Sequence, residues 1–457
     1  MNAGFDQALG IATRKHMDGD REGARDLYHK LICVNPHHPF LNFAIGTFYT
    51  DTDQSLALPF LIRAIDLDPK NAQAWNNLGA CYKACMLHAE AEETLLHALE
   101  LAPENPAAYA NLSGIFINEG CPEKAIEWAE KGLAIDPASP QLNNHLALAC
   151  LESGDWARAW PHWENRVRLA GWFTREFPES VKLWDGQPVK TLVLSGEQGI
   201  GDEILFASIV PECKADRVII ECTQRLQTLF ERSFPGCTTY PSHQDVLFHE
   251  HDIDAHLQLG SLPRLFRSAP DACPGTPFLK PDPLQVAEFR ARLARLGPPP
   301  YVGLAWHGGT HKTHAHARTV PLRAMAPVAA VEGCTFVSVQ YGKAAAEAGS
   351  CGLPHWSDAV IDFDRHTALI AACDLVISVC QTAVHQAGGL GVPCWCLTPV
   401  KVAWRYGTFG GERMPWYNSV RLLRQQKSDD WGELIERTAV ELRTWIAVNA
   451  ALKDLAA

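Results

Sequence analysis

A 34-residue spacing in the first third of the chain restricts the fold more than any other feature. Trp75, Leu78, Gly79, Tyr82, Ala91, Leu95, Ala98 and Pro103 recur 34 positions on (109 − 75) as Tyr109, Leu112, Ser113, Phe116, Ala125, Ala129, Gly132 and Pro137. The same step reaches Leu146, Ala147, Cys150, Ala159 and Trp163, where the pattern fades into a last helix. Upstream, Ile45, Gly46, Tyr49, Leu61 and Pro69 keep the order with one residue fewer, and Ala24 and Pro36 mark a weaker unit. A period of this length is one helix–turn–helix unit that cannot bury its apolar face alone, so successive units must stack. Small Ala and Gly let paired helices approach, aromatic side chains fill the gaps, and proline ends each second helix.

These are the signature positions of the tetratricopeptide repeat, and residues 1–170 are expected to form a repeat superhelix. The concave face of such an array binds partner peptides. Asn77, Asn111 and His145 hold equivalent places on three successive first helices. The series resembles the asparagine ladder of O-GlcNAc transferases, which implies that these side chains contact an acceptor peptide; solvated helix positions are the alternative. Trp156, Trp160, Trp163 and Trp172 are expected to seal the last repeat against the next domain.

From Trp184 onward, short β-branched bursts alternate with helical stretches, the pattern of parallel doubly wound sheets. Lys190–Ser195 reads as a strand running into Gly196-Glu197-Gln198-Gly199-Ile200-Gly201-Asp202-Glu203, with a helix from Ile204 to Pro211. Arg217–Glu221 and a strand–helix pair between Ala255 and Arg267 continue the alternation. Pro298-Pro299-Pro300 reads as a linker, giving domains 171–297 and 298–457. In the second, strands are expected at Tyr301–Trp306, Thr335–Gln340 and Val420–Arg424. The run from Leu375 to Val400 holds no Asp, Glu, Lys or Arg, yet Gln381, Thr382, His385, Gln386, Gly388-Gly389 and Pro393 argue against a membrane helix. It reads as strand Leu375–Val379, a turn at Cys380–Thr382, helix Ala383–Leu390 and strand Pro393–Leu397. The start of that helix, with free N–H groups and the positive dipole end, is a natural anion site.

The stretch LVLSGEQGIGDEILFASIVP resembles the first strand and loop of glycosyltransferase family 9, the heptosyltransferase group, and more closely the transferase modules that follow tetratricopeptide repeats in bacterial proteins. The resemblance covers about Trp184 to Leu442. It implies a GT-B fold of two Rossmann-like lobes, the first facing the acceptor and the second holding a nucleotide-sugar. Asp202 matches the family's proposed general base; the alternative is a helix cap. Gln198, Gly199 and Gly201 would line the cleft. Donor contacts are expected from Gly308, Gly309, Thr310, Lys312, Arg318, Gln340, Tyr341, Gln381, Thr382, Ala383 and His385, with Arg318 the best match for the family's basic residue. Heptosyltransferases have Ser-Val-Asp-Thr where this chain has Ser378-Val379-Cys380-Gln381-Thr382, which puts the family's usual sugar in doubt. The last helix, from Trp431, is expected to cross back to the first lobe.

The layout also resembles O-GlcNAc transferases and the repeat-containing enzymes that glycosylate flagellin. It implies inverting, metal-independent transfer to a protein hydroxyl, with a nucleotide-sugar as co-substrate and no other cofactor. Two rivals remain open from the sequence: a non-catalytic repeat adaptor with a degenerate transferase fold, and a sugar-nucleotide epimerase. The net charge of −12 argues against non-specific nucleic-acid binding. Fifteen scattered cysteines and an N-terminus without an apolar export segment fit reduced thiols and a cytoplasmic location. Cys81 and Cys85 have no second pair at metal spacing, and the histidines between His307 and His316 have no neighbouring carboxylate or cysteine, so no metal is expected.

Overall fold

The computed structural model describes residues 2–169, 171, 175–242, 252–309, 315–407, 411–428 and 430–456. Its contacts divide into two compact units, Met1–Cys150 with Arg168–Ala170, and Leu151–Val167 with Gly171–Ala457.

The first unit is built of helix pairs. Asn2–Met17 pairs with Arg21–Val34, Pro39–Thr50 with Gln54–Leu67, Ala72–Ala84 with His88–Leu101, and Pro106–Glu119 with Pro122–Ile135, before Pro140–Ser153 begins the next pair. First helices open at residues 39, 72, 106 and 140, so the steps are 33, 34 and 34, and the short step belongs to the unit with one residue fewer. Pro36, Pro69, Pro103 and Pro137 each stand two residues past a second helix. The glycines mark close helix approaches: a Cβ on Gly79 would lie 2.5 Å from Leu95 Cγ, and one on Gly46 the same distance from Leu61 Cγ. Ala91, Leu95, Ala108, Leu112 and Ile115 form one of the buried seams between successive pairs.

The last repeat helix, Trp156–Trp163, groups with the second unit rather than with the repeats. Its tryptophans explain why. Trp156 stacks on Trp416 with ring centroids 5.3 Å apart, Trp160 and Trp163 meet Trp404 edge-on at 5.8 and 5.9 Å, and Trp163 Nε1 donates to the Gly260 carbonyl at 2.8 Å. Trp172 lies outside the described residues.

The second unit contains two five-stranded sheets, and each recorded strand pairing in them is parallel. The first joins β1 (Lys182–Leu183), β2 (Val189–Ser195), β3 (Ala215–Cys222), β4 (Cys237–Pro241) and β5 (Ala255–Gln258) in the order β1-β5-β2-β3-β4. The second joins β6 (Tyr301–Ala305), β7 (Thr335–Ser338), β8 (Leu375–Val379), β9 (Cys394–Thr398) and β10 (Val420–Arg424) in the order β10-β9-β8-β6-β7. Every residue of β6, β8 and β9 is buried, as strands covered on both faces require. The chain is therefore helical repeats followed by an α/β part.

Strand order reverses once in each sheet, between β2 and β5 and between β6 and β8. At such a reversal the loops leaving two neighbouring strands diverge to opposite faces and open a crevice at their carboxyl ends, where ligands of open α/β sheets bind. The loops there are Gly196–Gly199 in the first sheet, and Trp306–Gly309 with Cys380–Gln381 in the second.

Two expectations change. The helix after β2 begins at Ile200, not Ile204, so Asp202 belongs to its first turn. The last helix, Gly432–Ala456, packs on the second sheet instead of crossing back: Leu434, Ile435, Ala439 and Leu442 share a core with Val302, Leu304 and Ile377. No helix among the described residues is long and apolar enough to cross a membrane.

Candidate functional site

The crevice of the second sheet is built by close backbone packing. A Cβ on Gly308 would lie 2.5 Å from the Cys380 carbonyl oxygen, so only glycine lets the loop after β6 rest on the turn after β8. Gln340, at the end of β7, ties that loop down. Its Oε1 accepts from the N–H groups of Trp306 and His307 at 3.0 and 2.9 Å, and its Nε2 donates to the His307 and Tyr341 carbonyls at 3.2 and 3.0 Å. With its amide fully engaged, Gln340 positions the loop rather than offering a group to a ligand.

Helix Thr382–Leu390 starts in this crevice with Gln381 at its N-cap, and no side chain caps its first N–H groups. Ala383 is buried within the first turn, and Tyr341 donates its hydroxyl hydrogen to Thr382 Oγ1 at 3.1 Å. Gln381 is 5% exposed; its Nε2 donates to Ser378 Oγ at 3.2 Å, while its Oε1 is buried without a partner. Arg318 approaches from the loop after β6. Its Nε is likewise shut off without a partner, and no carboxylate among the described residues pairs with its guanidinium. Gly309, at φ +79°, leaves the space that guanidinium occupies. A buried polar atom left unsatisfied costs about 1–3 kcal/mol. Two of them beside an uncapped helix start are suited to a ligand with both anionic oxygens and donors. Thr310 and Lys312 lie outside the described residues.

Cys380, aligned with the heptosyltransferase Asp, does not present its side chain at the helix start. Its thiol is buried 3.8 Å from Cys396 Sγ. His385, one turn into the helix, is 4% exposed, with Nδ1 3.3 Å from the Tyr417 hydroxyl and Nε2 3.3 Å from the Tyr406 hydroxyl. Burial pushes its pKa down to about 4, and Arg405 and Arg318 push the same way against Asp202. A neutral ring with both nitrogens engaged makes His385 a positioning residue.

The first sheet's turn meets this helix from the other side. Gly201 lies so close to His385 that a Cβ there would sit 3.0 Å from its Cδ2. Asp202 caps its own helix, its Oδ2 accepting from the Gly199 N–H at 3.3 Å, and it forms an ion pair with Arg405. Arg405 also donates to Gln198 Oε1, and Gln198 holds a left-handed backbone at φ +67°. The neighbouring carboxylates are saturated. Arg166 and Glu197 form a buried ion pair at 2.5 Å, and Glu203 accepts from the N–H and hydroxyl of Thr223, with burial raising its pKa to about 7. Arg405 was missed as a site residue. Its only sequence signal was its place between aromatic residues in Trp404-Arg405-Tyr406, which carries no chemistry by itself.

A cavity of about 630 Å³ bounded by Glu212, Arg267, Phe234 and Phe278 shares no residue with this crevice. Among the described residues no three His, Cys, Asp or Glu side chains gather as a metal centre.

In the repeat unit, Asn77 and Asn111 belong to one hydrogen-bond chain. Lys83 Nζ donates to Asn111 Oδ1 at 2.7 Å, Asn111 to Asn76 Oδ1 at 3.2 Å, Asn76 to Asn77 Oδ1 at 3.3 Å, and Asn77 to Thr47 Oγ1 at 2.9 Å. The ammonium, a donor only, orients every amide along the chain. His145 lies next to Lys83 across Gly114, whose added Cβ would be 3.3 Å from the His145 ring; burial and that cation hold its pKa near 4.

Residues 60–93 and 106–139 each match the tetratricopeptide-repeat family. The chain carries tetratricopeptide repeats. It is 29% identical to Protein FlbA of Caulobacter vibrioides over a 513-residue alignment spanning 97% of this chain and 85% of that one. Among solved structures, MamA is 24% identical, with a TM-score of 0.33, over 37% of this chain and 92% of its own. A Pseudomonas aeruginosa pilF structure is 22% identical, with a TM-score of 0.33, over 37% of this chain and 79% of its own.

Proposed function

We propose that the chain is a GT-B glycosyltransferase that moves a sugar from a nucleotide-sugar to a hydroxyl on a protein held by the repeats. What carries this reading is the second sheet's crevice, where the unpartnered Arg318 Nε and Gln381 Oε1 flank an uncapped helix start opposite Asp202. A diphosphate satisfies the guanidinium and the first-turn N–H groups, and a sugar hydroxyl or ribose satisfies the amide oxygen.

In the step itself, the acceptor hydroxyl oxygen attacks the anomeric carbon from the face opposite the diphosphate. The new C–O bond forms as the bond to the phosphate oxygen breaks, and the nucleoside diphosphate departs with the electron pair. Asp202 takes the hydroxyl proton. The Arg318 cation and the helix dipole balance the charge on the leaving group, so the reaction needs no metal. The lobe of residues 171–297 serves the acceptor and that of 298–457 the donor.

The similarity to Protein FlbA runs through repeats and sheets alike, covering 97% of this chain, which supports treating the two parts as one working unit. The burial of Cys380 against Cys396 weakens the sequence argument for a degenerate site, since the replaced side chain is not at the helix start. Flagellin is the proposed acceptor, by resemblance of layout. The reading is tested by the intact mass of flagellin co-expressed with the protein in a host able to make the donor. A mass increase of one or more sugar residues with wild type, lost with Asp202→Ala, is expected. Unchanged mass with both would favour an adaptor.

A further inference from the structure

Arg405 is the cation of the crevice whose charge is already matched, and its partner is the proposed base. Its guanidinium contacts Asp202 and Gln198 on the first sheet's turn and lies over the Trp404 ring, 4.8 Å from the centroid. The backbone that carries it is fixed, because Trp404 is 1% exposed inside the cage of Trp156, Trp160, Trp163 and Trp416. The head group is reachable: the side chains of Arg405 and Asp202 are 16% and 22% exposed. Asp202 does not depend on Arg405 for its place, since the Gly199 N–H holds its other oxygen. Gly201, the neighbour of Asp202, packs against the His385 ring, which brings the Asp202–Arg405 pair up to the helix Thr382–Leu390.

With one oxygen held by the Arg405 guanidinium and the other by the Gly199 N–H, the Asp202 carboxylate has neither oxygen turned to an incoming hydroxyl. A diphosphate offers the same guanidinium a second, more highly charged partner with matching bidentate geometry. We propose that Arg405 is a two-position residue, resting on Asp202 and transferring to the donor's diphosphate when a nucleotide-sugar binds, so that donor binding unmasks the base. This rests on the nucleotide-sugar reading above. Arg405 then acts as a positioning residue in the resting state and as a donor contact in the loaded one, and an empty site holds its base inactive. The left-handed Gln198 is part of the same device, because its side chain is released together with Asp202.

The test is a double-mutant cycle on the full chain, with UDP, GDP, ADP and CDP as probes and calorimetric affinity as the readout. Competition predicts that Asp202→Asn binds the preferred diphosphate about 10-fold tighter than wild type, and that Arg405→Gln binds it at least about 10-fold weaker; coupling of this size is ordinary for contacting residues. It also predicts that Asp202→Asn has no effect once Arg405 is Gln. A merely structural ion pair would instead leave Asp202→Asn equal to or weaker than wild type. That result, or tightening that persists in the double variant, overturns the inference while leaving the nucleotide reading intact. Thermal melting of each variant separates loss of binding from loss of fold, and Asp202→Asn keeps the test open should Arg405→Gln misfold. No binding of any diphosphate to any variant, wild type included, would take down the nucleotide reading itself.

Discussion

The turns at the two strand-order reversals start alike and finish differently. Each sets glycine beside a helix start: Gly199 and Gly201 in the first, and Gly308, packed on the Cys380 carbonyl, in the second. In the first sheet each carboxylate of the turn is matched: Glu197 by Arg166, Glu203 by Thr223, Asp202 by Gly199 and Arg405. In the second, Arg318 and Gln381 each keep a buried atom without a partner. A saturated turn holds a structure together, whereas an unsaturated one leaves polar atoms for a further partner. The difference fits the proposed function, in which the second sheet holds the ligand and the first presents one acidic group.

The comparison breaks most visibly at Glu197. Glu197→Ala removes the buried partner of Arg166 and leaves it Glu164, at 3.2 Å, as its remaining carboxylate, so unfolding stability should fall by about 3 kcal/mol in urea denaturation, the low end for breaking a buried pair. A loss under ~1 kcal/mol would mean that the first turn is not a rigid scaffold.

Gly308→Ala comes next. The added methyl meets the Cys380 carbonyl and the backbone must shift, a cost of about 1–3 kcal/mol, and nucleoside diphosphate binding should fall with it. Unchanged stability and binding would show the two loops are free to separate.

His385, between the two turns, gives the third prediction. Its pKa falls from 6.5 to about 4 on folding. The unfolded chain therefore binds the extra proton first, so stability present at pH 7 is lost as pH falls through 6.5 toward 4, by about 2 kcal/mol at pH 5. His385→Gln should shrink the difference between urea midpoints at pH 7 and pH 5. His145 contributes with the same sign and Glu203 with the opposite one, so the variant is judged against wild type and not against zero.

The smallest effect on stability is expected for Arg318→Gln. With no partner to lose, the change should stay within about 0.5 kcal/mol of wild type without ligand. A larger loss would make Arg318 a structural cation and erase the contrast between the turns.

The repeats and most strands were legible because each is a local pattern. A fixed spacing of small, aromatic and proline residues yields helix pairs, and charge-free bursts such as Leu375–Val379 yield buried strands. β1, with two residues, and β4, whose Cys237–Pro241 is only half-buried, carry too little apolar pattern to be read. The start of the helix at Ile200 escaped because it depends on one carboxylate reaching back to the Gly199 N–H. The site was legible as two glycine turns and an anion-ready helix start. What each side chain does there was not: Gln340 and His385 turn inward to hold loops. Arg405 meets Gln198 across 207 residues, a pairing that no local pattern encodes.

The most direct measurement is thermal and urea unfolding of wild type and Arg318→Gln with and without UDP, GDP, ADP and CDP. The crevice reading predicts that at least one diphosphate stabilises wild type, by about 2.7 kcal/mol at 100 times its Kd, and that Arg318→Gln loses most of that gain. No stabilisation of wild type by any of them, or an equal gain in both proteins, would contradict it.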